Sequence, residues 1–337
     1  MATFNATDSN FITSAAWIIQ GTALATNRVG AYINGKFNGT SLSVNVTADN
    51  TRKLGYQIDD TAHQEVTLAN NTSTISLASG LSAGEHKFSI FYTQRGDNVG
   101  NRFDGFDVKV NSITCDSLVA PLTPASKTLY LYGDSIFSSY AGGSHPDSIS
   151  MALREGLRPL WKVSSFAIGG TGWLNTGGGG MLDIRTHWKT AWSGQAYSNP
   201  EPTAAYICMG TNDRSQTDAA VQSAVESTLT DMLTTWSNTR LILQTPWEGI
   251  KRTAVIAGHT AINNSRVSLV DLELEYSRGL GASADDYYSP DDVHPNYKSL
   301  LGIVSRMGLE LGNHTTIPTP SPNISGALTA TGTFTYV

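Results

Sequence analysis

The hydrophobic rhythm of this 337-residue chain changes once, between residues 116 and 128, and that change limits what it can fold into. Upstream, apolar and polar residues alternate. Leu42, Val44 and Val46 are interleaved with Ser41, Ser43, Asn45 and Thr47, and the same period recurs at Leu54, Tyr56 and Ile58, at Phe88, Ile90 and Tyr92, and at Phe106, Val108 and Val110. A period of two is the signature of strands with one face buried. Turn-forming pairs, Asn34-Gly35, Asn38-Gly39, Asp49-Asn50, Asp59-Asp60 and Asn70-Asn71, punctuate these runs. Residues 1–116 are therefore expected to form an all-β sandwich, or jelly roll. Residues 117–127, with Pro121 and Pro124, read as a stiff linker.

Downstream the alternation gives way to short continuous apolar runs at 128–132, 162–168, 204–209, 240–245 and 266–270. Runs of this kind suit strands buried on both faces. Helical patterns lie between them. One covers about 216–237, with Val221, Val225, Leu229, Met232, Leu233 and Trp236 on one face and Ser215 or Thr217 as N-cap; others cover about 249–263 and 295–311, the last stopped by Gly312. Strands alternating with helices predict a three-layer α/β domain over 128–312, with a parallel sheet in flavodoxin-like order. Residues 313–337 begin rich in Thr and Pro and end in a strand-like stretch from Gly326 to Val337. That last strand needs a pairing partner, in the first domain or in another subunit.

Composition narrows the functional classes. The net charge is −6 and no Lys/Arg cluster occurs, which argues against a nucleic-acid partner. Charged residues make up 15%, below the usual quarter, in a chain rich in Gly. A neutral surface of this kind suits work outside a cell or on a particle. No basic and apolar leader is seen at the N-terminus, and no apolar run is long enough for a membrane span. Cys115 and Cys208 are the two cysteines; nothing in their placement supports a disulfide, and no zinc-ligand spacing is present. The stretch from Asn175 to Met181, with four consecutive glycines, lacks the Gly-Lys-Ser/Thr of a phosphate loop and reads as a mobile surface loop near the crevice.

Four short blocks stand at strand ends or a helix start: Gly133-Asp134-Ser135, Gly169-Gly170-Thr171-Gly172, Gly210-Thr211-Asn212-Asp213 and Asp291-Asp292-Val293-His294-Pro295. In an open parallel sheet, ligands bind beyond the carboxyl ends of the strands. A serine there needs a base, for which histidine is suited, and the histidine needs a carboxylate to orient it. Asp291, three residues before His294, can fold back to do this, although Asp292 could exchange roles with it. The oxyanion of acyl transfer needs preorganised N–H donors, which the Ser135 and Gly170 amides and the Asn212 side chain would supply. Asp134 and Asp213 fit structural roles, accepting backbone N–H groups. Each block also has a bland reading. Gly-Asp-Ser is ordinary turn chemistry, and a histidine before Pro295 can simply begin a helix.

Taken together, the blocks resemble the SGNH (GDSL-like) hydrolase superfamily, across residues 128–312. The resemblance implies Ser135 as nucleophile, Asp291 and His294 as the rest of the triad, and Ser135, Gly170 and Asn212 as the oxyanion hole. One departure is that the family often has an Asn shortly before the glycine of the second block, where this chain has Ser165, Phe166 and Ala167. This leaves Gly169 and Gly170 as alternatives. The first domain, with Leu81-Ser82-Ala83-Gly84-Glu85-His86 and Phe103-Asp104-Gly105-Phe106, looks like the jelly roll of two-domain carbohydrate esterases. The expected activity is removal of O-acetyl groups from an acetylated polysaccharide or oligosaccharide, with no metal and no organic cofactor. A lipase or thioesterase, and a glycan-binding component of a phage tail or other particle, are the alternatives. Trp173 and Trp247, on loops at the crevice edge, would stack on sugar or simply pack. His145 reads as a surface residue, and His187 and His259 lack partner spacing.

Overall fold

The computed structural model describes residues 1–95, 105–138, 150, 153–154, 157, 160–177, 182–192, 194–197, 200–246, 249–272, 307–308 and 310–312. The first part is antiparallel. Its strands are β1 (Ala2–Asn5), β2 (Ile12–Thr13), β3 (Ile18–Gln20), β4 (Ala23–Thr26), β5 (Tyr32–Ala48), β6 (Arg52–Ile58), β7 (Gln64–Leu68), β8 (Thr72–Ala78), β9 (Glu85–Arg95) and β10 (Val108–Leu118). They are joined in the order β3-β4-β10-β5-β9-β6-β7, with β1 on β10 and both β2 and β8 on β5.

The long strand β5 serves different partners along its length. Its first half, Tyr32–Asn38, pairs with β9, and its second half, Leu42–Thr47, pairs with β8. From Ile33 to Phe37 the buried residues fall at odd positions, and from Leu42 at even positions, so the phase of the alternation slips across 38–41. A slipped phase marks a β-bulge and a bend, and the pairing of β10 with β5 shifts register opposite it, between Cys115 and Ser117. Gly39, at φ +141°, sits in the bend, where an added Cβ would lie 2.2 Å from Asp116 Oδ2. Asn34-Gly35 and Asn38-Gly39 are thus not turns between strands, as the sequence suggests, but parts of one strand. Gly35 is needed for packing, because a Cβ there would lie 2.6 Å from the Phe88 ring. Asn50 and Asp59 do occupy turns, with φ of 75° and 51°.

The second part is parallel. Strands β11 (Lys127–Gly133), β12 (Trp161–Ser165), β15 (Ala204–Cys208), β16 (Arg240–Gln244) and β17 (Val267–Val270) form a sheet in the order β12-β11-β15-β16-β17, and β13 (Thr190–Trp192) pairs with β14 (Gln195–Ala196) in a small ribbon. This is the flavodoxin-like 2-1-3-4-5 order, with its switch point where the chain crosses from β12 back over β11 to β15. Helices are α1 (Ser135–Ser138), α2 (Ile184–His187), α3 (Asp218–Thr235) and α4 (Arg252–Ile262). The apolar stripe read from the sequence is what α3 buries: Val221, Val225, Leu229 and Met232 are inaccessible. Thr217 caps it, accepting from the Ala220 N–H at 3.3 Å. Gly312 has φ +74°, the left-handed conformation that ends a helix.

The two parts share one apolar core, in which Trp17, Ile33 and Phe88 belong to the same cluster as Tyr130, Phe166, Trp188 and Trp236. Two buried arginines cross the seam in opposite directions. Arg28 donates to the carbonyls of Thr190 and Ala191, each at 3.2 Å. Arg154 donates to Ser89 Oγ at 2.8 Å and lies over the Tyr32 ring, 4.6 Å from its centroid. Buried guanidiniums stacked on aromatic rings hold geometry more firmly than exposed pairs do. The relative placement of the parts is therefore set by directed contacts as well as by apolar area.

Candidate active site

Three of the four sequence blocks leave the sheet side by side. Gly133, the last residue of β11, is in register with Cys208, the last of β15. On the other side the Ile168 N–H donates to the Gly133 carbonyl at 2.9 Å. The segments carrying Ser135, Gly170 and Asn212 thus emerge together at the carboxyl edge of the sheet, flanking the switch point.

Local chemistry accounts for each segment. At position 133 an added Cβ would lie 2.8 Å from Phe137 Cβ, so only glycine allows α1 to fold back over the strand end. Asp134 is buried and acts as a cap: its Oδ1 accepts the Ile136 N–H at 3.0 Å, and its carbonyl accepts from Phe137 and Ser138. Ser135 opens α1 and is half-buried. Gly170 has φ +79°, and among the described residues an added Cβ would meet only Gly177 Cα at 3.7 Å. Its left-handed conformation is itself a reason for glycine there.

Asp213 ties the second block to the third. Its carboxylate accepts the backbone N–H groups of Trp173 at 2.7 Å, Leu174 at 3.0 Å and Asn175 at 2.8 Å. Gly172 is required by the same contact, since a Cβ there would lie 2.4 Å from Asp213 Oδ2. Asn212, beside it, donates from Nδ2 to the Thr171 carbonyl at 2.9 Å. An amide nitrogen carries two hydrogens, so this bond orients the group while using one of them. Asn175, which the sequence reading placed only as the start of the glycine-rich loop, bridges the same two segments: its Nδ2 donates to the carbonyls of Gly170 and Asn212, each at 3.1 Å. No spacing rule points to it, because the bridge spans separate loops. The glycine run read as a surface loop is therefore anchored at its start, with Gly177 packed against the Gly170 backbone.

The other expected residues divide in two. Trp173 does not offer a ring to sugar: its side chain is 0% exposed and its indole N–H donates to the Met209 carbonyl at 2.9 Å. The packing alternative holds because the Asp213 contact turns this segment into the core. Asp291, His294 and Trp247 lie outside the described residues, as do Asp292, His145 and most of the last expected helix. Cys208 lies below the site as an inert thiol. Burial holds it well above the usual thiol range, and it accepts from Gln244 Nε2 at 3.1 Å while Gln244 Oε1 accepts from the Tyr206 hydroxyl at 2.7 Å. Cys115 is likewise buried, which pushes its thiol up to about 11, and neither cysteine is in a disulfide.

An antiparallel β domain followed by a parallel flavodoxin-like sheet is a two-domain fold that this chain shares with solved carbohydrate esterases. Residues 19–114 match the family model described as carbohydrate esterase 2 N-terminal. Three solved structures align over nearly the whole chain. A family two carbohydrate esterase from Cellvibrio japonicus has a TM-score of 0.75 at 17% identity, covering 92% of this chain and 96% of that one. One from Clostridium thermocellum, in complex with cellohexaose, has a TM-score of 0.75 at 17% identity, covering 90% and 98%. The acetyl xylan esterase Est2A from the rumen bacterium Butyrivibrio proteoclasticus has a TM-score of 0.75 at 13% identity, covering 93% and 99%. No curated protein matches the sequence.

Proposed function

We propose that this chain is a carbohydrate esterase that hydrolyses short acyl esters, O-acetyl above all, on a polysaccharide or oligosaccharide through an acyl-serine. The observation that carries the reading is the convergence of the Ser135, Gly170 and Asn212 segments at the switch point of a fold shared with carbohydrate esterases. The bound cellohexaose of the Clostridium thermocellum structure supports a glycan as the substrate class.

In this mechanism His294, oriented by Asp291, takes the Ser135 hydroxyl proton as Oγ attacks the ester carbonyl. The oxyanion is held by the Ser135 and Gly170 amides and by the second hydrogen of Asn212 Nδ2. Such donors act mainly in the transition state, and each is worth about 10²–10³ in rate. The sugar alcohol leaves with the proton from His294, and water then repeats the sequence on the acyl-serine. Activity falls at acid pH, where a protonated His294 can no longer accept the serine proton.

The test is acetate release by wild type and Ser135→Ala on a panel of acetylated polysaccharides, beside 4-nitrophenyl esters of rising chain length. Acetate from a polysaccharide, a loss of about 10⁴-fold or more in Ser135→Ala, and activity collapsing beyond short chains are the expected results. Preference for long chains would move the reading to a lipase. Full activity in Ser135→Ala would remove the nucleophile assignment.

A further inference from the structure

We propose that Asn175 is a positioning residue for the oxyanion hole, clamping together the two loops that supply its donors; this rests on the ester-hydrolase reading above. Its Nδ2 donates to the Gly170 carbonyl and to the Asn212 carbonyl, each at 3.1 Å. Those two residues reach the site from different strands, β12 and β15, and no ladder hydrogen bond joins those strands, which lie on opposite sides of β11. One planar amide spans the gap.

The clamp is itself held at each of its other polar atoms. Asn175 Oδ1 accepts from the Gly177 N–H at 3.4 Å, its backbone N–H donates to Asp213 Oδ1 at 2.8 Å, and its carbonyl accepts from the Gly172 N–H at 2.8 Å. The residue type follows from this set. Two donated hydrogens and one acceptor on a one-carbon stem are available only from asparagine. Aspartate would set a carboxylate against two carbonyl oxygens, and serine has a single hydrogen to give. Glutamine carries the same groups one methylene too far.

Gly170 is where such a tie matters. At φ +79° a glycine has no Cβ to restrict it, so its peptide orientation depends on what its neighbours hold. Fixing the Gly170 carbonyl fixes the residue whose N–H faces the oxyanion. Fixing the Asn212 carbonyl does the same for the residue whose amide completes the hole. Donors must lie within a few tenths of an ångström of the developing charge, and a misplacement of about 1 Å costs on the order of 10²-fold.

The experiment uses the full chain with 4-nitrophenyl acetate, comparing wild type with Ser135→Ala, Asn175→Ala, Asn175→Asp, Asn212→Ala and the Asn175→Ala/Asn212→Ala double variant. kcat, KM and the melting temperature are measured, and active sites are counted by a phosphonate titrant. Asn175→Ala should lower kcat per titrated site by roughly 10–100-fold with KM within about threefold, because only transition-state contacts are lost. Asn175→Asp should be no better. In the Asn212→Ala background the same substitution should cost only a few-fold, since half of what it positions is gone. A wild-type kcat per titrated site in Asn175→Ala, full additivity with Asn212→Ala, or recovery in Asn175→Asp would overturn the positioning role. If wild type is active and Ser135→Ala inactive while Asn175→Ala is unimpaired, the inference alone fails; a wild type inactive on every ester overturns both.

Discussion

His187 should make this protein acid-labile well before its carboxylates do. The ring ends α2, is 0% exposed, and has no hydrogen-bond partner for either nitrogen among the described residues. Burial, reinforced by the Arg28 guanidinium, pushes its pKa down to about 3. In the unfolded chain the same ring titrates near 6.5. Below that pH the unfolded state gains a proton that the folded state refuses, so stability is lost as pH falls from about 6.5 toward about 3. The slope is about 1.4 kcal/mol per pH unit, reaching on the order of 5 kcal/mol over the window. A domain is typically stable by about 5–15 kcal/mol, so one histidine can decide where acid unfolding begins. His187→Met removes the titration while keeping volume and burial close to the original. Urea unfolding followed by tryptophan fluorescence, at pH values from 7.5 down to 4, would compare the two proteins. The stability difference in favour of the variant should be flat above pH 7 and grow by about 3 kcal/mol between pH 6.5 and 4. Parallel curves would show that the ring is not held neutral by its surroundings and would refute the reasoning.

Two further outcomes follow from other buried contacts. Arg52 and Asp107 form an ion pair at 3.1 Å with both side chains wholly inaccessible, and the Tyr92 hydroxyl donates to the same carboxylate at 3.1 Å. Asp107→Asn should destabilise the first domain by about 3–5 kcal/mol, because a buried guanidinium loses the charge of this carboxylate, whereas Arg52→Met with Asp107→Leu should cost far less; chemical denaturation of the three proteins measures this. Gly172→Ala drives a methyl against the Asp213 carboxylate and should cost about 1–3 kcal/mol by melting temperature. It should also lower kcat for 4-nitrophenyl acetate, since Asp213 holds the segment that carries Asn175; an unchanged melting temperature and kcat would show that the contact relaxes freely.

What the sequence made legible is what periodicity encodes. The parallel strands lie within a residue or three of their apolar runs, and the stripe on α3 is the buried one, because both signals come from the backbone's own repeat. Dipeptides were less informative. Asn38-Gly39 permits a bend as readily as a turn, and only the phase slip between Phe37 and Leu42 tells them apart. Trp173 shows the same limit for side chains. A tryptophan after a glycine-rich strand end looks available to a ligand until Asp213, forty residues on, takes its backbone N–H and turns it inward. The blocks themselves were legible because strand ends must carry glycine and capping residues, as Gly133 and Asp134 do. The ties between blocks were not, for Asn175 reaches Asn212 across 37 residues and Gly172 yields its Cβ to a carboxylate from another loop. Loops at a sheet edge have no ladder to fix them, so their geometry rests on such cross-loop polar contacts. Sensitivity of catalysis to substitution should therefore extend beyond the four blocks to residues whose side chains never face a substrate.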